Sequence, residues 1–174
     1  MQRKTRLILI LLFIVLGVVL QVRLGIGSAW YLYVAAFILL VTHFLFGNVW
    51  AAFGMLKKGK MNEAEKLLDD IKRPDWLYKG HRAYYHFTRG MIAMQHKEYP
   101  DAEQALKTAL QLGLRTANDK AITHLNLAHI CFLQNRLIDS NTYLHQIKEQ
   151  STNDLVIKDK IKELEKALKA RGVG

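Results

Sequence analysis

Residues 48–71, NVWAAFGMLKKGKMNEAEKLLDDI, join an apolar N-terminal stretch to a charged remainder and carry a pattern that recurs twice downstream. A helix-forming segment over residues 48–56 meets a break at Lys58, Gly59 and Lys60, and a second segment follows over residues 62–71, so the stretch reads as a helical hairpin. A frame shift of 38 residues, from 57 to 95, lays QHKEYPDAEQALKTAL over KKGKMNEAEKLLDDI, and a second, from 95 to 133, adds LQNRLIDSNTYLHQI. Repetition at this period is the mark of a solenoid, in which one hairpin cannot bury its apolar face alone and stacks on its neighbours.

In that frame a small residue recurs on the first helix at Ala52, Gly90 and Ala128, and on the second at Ala64, Ala102 and Ser140. Small side chains there let the two helices of a unit approach closely. Leu68, Leu106 and Leu144, followed by Ile71, Ala109 and Ile147, keep an apolar stripe on the second helix. At these positions the chain resembles the tetratricopeptide repeat family, over residues 48–150. It departs from that family where Asn48, His86 and His124 take the tryptophan slot and Ala51, Arg89 and Leu127 the leucine slot. The second helices lack the family's aromatic, no proline ends a repeat, and the period exceeds the usual length of about 34 residues. Longer connections between repeats and a less regular superhelix are expected from that excess. The resemblance implies an interaction module whose first helices line a concave groove.

Upstream, Arg3, Lys4 and Arg6 precede an uncharged run over residues 7–22, and a second apolar run over 29–46 opens with Trp30, Tyr31 and Tyr33. Each run has the length of a short bilayer span. The amphipathic rings favour the headgroup region, as does Trp50, and Lys57, Lys58 and Lys60 follow. Basic residues flank both outer ends while the connecting turn holds only Arg23, which places both termini and the repeats in the cytoplasm. The basic start and the small residues Gly27, Ser28 and Ala29 also fit the outline of a signal peptide, although Arg23 intervenes before any cleavage site. The expected organisation is a membrane anchor over 1–47, three helical hairpins over 48–150 and a capping helix with tail over 151–174. The expected location is a bacterial cytoplasmic membrane.

Tyr84, Phe87, Met91 and Met94 recur at helical spacing on one first helix, and Ile122, Leu125, His129 and Phe132 on the next. Such stripes serve as core. These helices carry few charges to cover a second face, however, and the surplus points to an apolar groove for a peptide or helix. Asn126 alone aligns with the lysine, arginine and asparagine clamp by which some family members hold acidic chaperone tails. Val49, Trp50 and Phe53 are apolar at the facing positions, which speaks against such tails. Residues 72–80, KRPDWLYKG, interrupt the array with Trp76, Leu77 and Tyr78 among cations, and suit either an anionic membrane surface, a partner, or packing of Trp76 between repeats. Ile157, Ile161, Leu164 and Leu168 share one face of a last helix capped by Ser151 or Thr152.

Little chemistry is written in the chain. Cys131 is a lone cysteine in the slot of a buried tyrosine. His81 with His86, and His124 with His129, are spaced five apart and fall on different helix faces, unlike a zinc-binding pair four apart. No nucleophile motif, phosphate loop or carboxylate pair is evident, so no catalytic residue, cofactor or metal is expected. The net charge is +10, but four of the 25 basic residues lie in the first 23, which leaves a moderate +6 from residue 57 onward and no case for nucleic acid.

The sequence therefore describes an all-α protein, with a two-helix transmembrane hairpin before a short solenoid and a capping helix. Its expected role is a noncatalytic scaffold that gathers a protein partner at the bilayer through Tyr84, Phe87, Met91, Met94, Asn126 and His129. An accessory subunit of a membrane complex, acting through the hairpin, is the alternative. A membrane enzyme using His43 and His81 is a third reading.

Overall fold

The computed structural model describes residues 3–25, 27, 29–46, 48–148 and 154–173, with the side chains of residues 3–7, 24 and 42–46 left aside. Every regular element among them is helical: α1 (Arg3–Leu24), α2 (Trp30–Phe46), α3 (Val49–Lys57), α4 (Met61–Asp69), α5 (Lys79–Gln95), α6 (Tyr99–Leu112), α7 (Ala117–Leu133), α8 (Leu137–Lys148) and α9 (Leu155–Ala170). A single 3-10 turn, Pro74–Trp76, lies between α4 and α5.

Helices α1 and α2 pack on each other. Gly17 leaves room for the Tyr33 ring, whose atoms would stand 3.1 Å from a methyl placed there. The Tyr33 hydroxyl donates to Gln21 Oε1 at 2.8 Å, which satisfies the one polar side chain of the first apolar run. Ile10, Leu32 and Ala36 are buried between the helices, while Ile8, Leu11, Val15, Val22, Phe37 and Ile38 remain outside. Among the described residues no helix is long and apolar enough to cross a membrane. The two spans expected over 7–22 and 29–46 thus stand, in the structure, as an apolar helical hairpin. The second of its helices has 17 residues, about 25 Å at 1.5 Å per residue.

From α3 onward the chain is a stack of helix pairs: α3 with α4, α5 with α6, and α7 with α8. Each pair closes through the same turn. Gly59, Lys97 and Asn135, 38 residues apart in register, take left-handed backbone at φ of 73°, 62° and 61°. The following N–H donates in each case five residues back: Lys60 to Met55 at 3.0 Å, Glu98 to Ala93 at 2.9 Å, and Arg136 to Cys131 at 2.8 Å. This bond satisfies carbonyls left open at a helix C-terminus. The small positions meet across each pair, with Ala52, Ala64, Ala102 and Ala128 all inaccessible to solvent. A methyl on Gly90 would stand 2.7 Å from Leu106 Cγ. In the third pair the Ser140 hydroxyl donates to the Ala128 carbonyl at 2.7 Å, which converts a close approach into a hydrogen bond.

The extra residues of the long period are not uniformly in the connections. The first pair uses two helices of nine residues and a long link to α5, as expected, whereas α5 and α6 extend to 17 and 14 residues and only residues 113–116 lead to α7. Ion pairs join successive pairs: Arg89 reaches Asp69 and Glu65 of α4, Arg136 reaches Glu103 of α6, and Lys148 meets Glu165 of α9 at 2.7 Å. Helix α9 buries Ile157, Ile161, Leu164 and Leu168 against Leu125, Ala128, Leu144 and Ile147. Its N-cap is Asp154, which accepts from Val156 N at 2.9 Å. Ser151 and Thr152, expected as caps, lie outside the described residues.

Three substitutions probe this geometry. Lys97→Gly relieves left-handed strain and should raise stability by about 1 kcal/mol, read from urea unfolding followed by helicity. Gly90→Ala should lower it by about 1–3 kcal/mol through overpacking on Leu106. Gly54→Ala meets nothing within 4 Å and should be neutral or stabilising.

Candidate partner-binding groove

The first helices of the second and third pairs, together with α9, enclose a cavity of about 690 Å³. Its apolar lining comes from Met61, Met91, Met94, Ile122, Leu125, Phe132, Val156, Ile157 and Leu164. Gln95, Asn126, His129, Asp154, Lys160 and Glu163 supply polar atoms. Three of the lining residues are methionines, whose unbranched, polarisable side chains adapt to irregular apolar surfaces.

Of the residues singled out in the sequence, Met91, Met94, Asn126 and His129 come together here. Asn126 Nδ2 donates to the Ile122 carbonyl at 2.7 Å and reaches Met91 Sδ at 3.5 Å, so its amide is occupied within the protein. Tyr84 and Phe87 lie elsewhere on the stripe, inside the core, with Tyr84 only 1% exposed. The Tyr84 ring rests on Trp50 at 4.7 Å and Phe53 at 4.9 Å, and Phe87 meets Phe53 at 5.8 Å.

Tyr84 has a further role that the apolar pattern concealed. Its hydroxyl donates to Asp119 Oδ2 at 2.6 Å and accepts from the Arg115 N–H at 3.3 Å. Asp119 N donates in turn to Thr116 Oγ1 at 3.0 Å, the N-cap of α7. The network fastens α5 to the start of α7. Burial, and then the Asp119 carboxylate, push the Tyr84 phenol up to about 12. The visible signal for it was Thr116-x-x-Asp119, a serine-or-threonine cap followed three residues later by an acid.

The residues expected at the membrane interface lie on α2 and at the two ends of α3. Trp30 and Tyr31 are exposed at the start of α2, and Tyr33 is bonded to Gln21. Trp50 is partly covered and donates from Nε1 to His81 Nε2 at 2.8 Å. Lys57 and Lys58 end α3, with Lys57 Nζ 4.5 Å from the centre of the Phe53 ring. Trp76 does not pack between repeats; Leu77 does, while Trp76 and Tyr78 stay outside.

Burial lowers the basicity of His86 and His124, with Arg82 and Lys120 adding to it. Burial also pushes the Cys131 thiol up, away from the reactive thiolate. Among the described residues no three His, Cys, Asp or Glu side chains gather around a metal-sized space. The side chain of His43 lies outside those described.

Fold and cavity define a class, an all-helical, solenoid-like protein with an apolar groove. Compared with known proteins, the chain is matched by no family model, no curated protein and no solved structure.

The Tyr84 phenol ionises near pH 10 in an unfolded chain and near 12 in the folded one. Its contribution to stability is therefore complete below about pH 10 and lost as pH rises toward 12. Absorbance titration should show a late-ionising phenol that is lost in Tyr84→Phe, beside that of Tyr143, which burial also pushes up. That variant should lose about 1–3 kcal/mol because the buried Asp119 carboxylate forfeits its donor.

Proposed function

We propose that this protein is a membrane-anchored scaffold of tetratricopeptide type, which presents the groove between α5, α7 and α9 to an apolar peptide or helix of a protein partner. The observation that carries the reading is the methionine-lined cavity of about 690 Å³ on the first helices, a volume that accommodates several apolar side chains. Its lining is apolar with a few dispersed polar atoms, suited to the face of an amphipathic helix. Nothing in it resembles a cluster of cations for an acidic tail.

Support for the anchor comes from the hairpin. Val22 is 82% exposed, and Leu11, Phe37 and Ile8 are each more than half exposed, on both helices. An apolar surface of this extent is unfavourable in water, at roughly 25 cal/mol per Å², and is at home in lipid. Its second helix, at 17 residues, is short for a span, and a bilayer meets a short helix by local thinning at a fraction of a kcal/mol per Å. Cations at the start of α1 and at the end of α3 favour a cytoplasmic repeat array.

The test is photo-crosslinking in native membranes, from a reactive side chain placed at His129 in the groove or at Lys66, which is exposed on α4. A partner captured at His129, absent at Lys66 and reduced at least about tenfold by Met94→Glu, about 1.4 kcal/mol, supports the groove. A partner that survives Met94→Glu and crosslinks instead from Phe37 establishes the accessory-subunit reading, with the hairpin as the contact.

A further inference from the structure

The connection between α4 and α5 is folded so as to hold two aromatic rings outside the protein. Leu77 is buried, and its neighbours Trp76 and Tyr78 are 57% and 64% exposed. Leu77 thus acts as the peg of the segment. The Arg73 guanidinium lies over the Trp76 ring at 4.9 Å, and Arg82 reaches the Asp75 carbonyl at 3.5 Å. Over residues 70–82 the carboxylates Asp70 and Asp75 are outnumbered by Lys72, Arg73, Lys79 and Arg82.

Its place in the fold is equally specific. Trp50 stands in the first turn of α3, four residues beyond Phe46, the end of α2. The Trp50 indole donates to His81 in the first turn of α5, and the Tyr78 ring lies 6.2 Å from His81. The ring-bearing connection is thereby held at the end of the stack where the chain leaves the apolar hairpin. Arg115, from the next connection, comes within 5.9 Å of the same Trp50 ring.

We propose that residues 72–82 form a second membrane contact, docking on the anionic headgroups of the bilayer that holds α1 and α2. Trp76 and Tyr78 enter the headgroup layer, where amphipathic rings are favoured, and Lys72, Arg73, Lys79 and Arg82 lie against lipid phosphates. Each cation brought to an anionic surface favours the docked state about fivefold. The hairpin supplies a high effective concentration, so a patch too small to bind from solution suffices here. This inference rests on the reading of the hairpin as an anchor.

The full chain is reconstituted in phosphatidylcholine vesicles with and without phosphatidylglycerol, and washed at alkaline pH to establish that it is integral. Emission of the wild type minus that of Trp76→Phe gives the share of Trp76, which is then challenged with lipids brominated near the headgroup. The expected result is quenching of that share by at least about half with phosphatidylglycerol, little quenching without it, and a fall of about fivefold in the docked-to-undocked ratio for each cation lost in Lys72→Gln and Lys79→Gln. An integral chain whose Trp76 stays unquenched overturns the proposal, as a protein partner for this segment would require. Equal quenching in both vesicles overturns it too, because the cations then contribute nothing. A chain stripped by the wash overturns the anchor reading and this one with it.

Discussion

Two helices that approach until only a methyl, or at Gly90 not even that, fits between them are the constraint on which the stack is built. At Gly90 the distance to Leu106 Cγ would be 2.7 Å, and at Ala128 the backbone itself accepts the Ser140 hydroxyl. Close approach sets the spacing within each pair. The left-handed turn, repeated at Gly59, Lys97 and Asn135, sets where the second helix begins. With both fixed, the leucines of the second helices, Leu68, Leu106 and Leu144, fall at equivalent buried positions. Each fully buried leucine contributes about 1.5–3 kcal/mol relative to exposure, so the stack draws its stability from positions that the turn and the small residues dictate.

Between pairs the contacts are of a different kind. The Trp50, Phe53, Tyr84 and Phe87 rings pack edge to face or tilted, an arrangement suited to their quadrupoles. The Tyr84 to Asp119 bond then ties the second pair to the third. Exposed ion pairs such as Arg89 with Asp69 contribute little by themselves. Glu103, more covered than those groups, holds both Lys107 and Arg136 and so joins α6 to the turn before α8.

The hairpin pattern, the small positions and the closing face of α9 were legible because each depends on residue size at a fixed spacing. Of the three turns, Gly59 announced itself most plainly. Asparagine at 135 is a residue that takes left-handed backbone readily, but lysine is not, and Lys97 adopts it in the same turn of the second pair. The apolar stripe on α5 gave the direction its side chains face but not what covers them. Tyr84 and Phe87 lie beneath α3, while Met91 and Met94 meet the cavity. That difference is set by a neighbouring helix, and no periodicity within α5 contains it. Asp119 was obscured for a related reason: a charged residue reads as surface until its buried phenolic partner is seen.

Helix α9 forms one wall of the cavity and is the last helix among the described residues. Terminal units of a linear array have one neighbour instead of two and open more readily than the middle. A guest that widens the groove works against the docking of α9, held by four apolar side chains and the Lys148 to Glu165 pair. On the function proposed above, undocking of α9 and occupancy of the groove are linked equilibria, and changes on the far side of α9 would tune how tightly a guest is held.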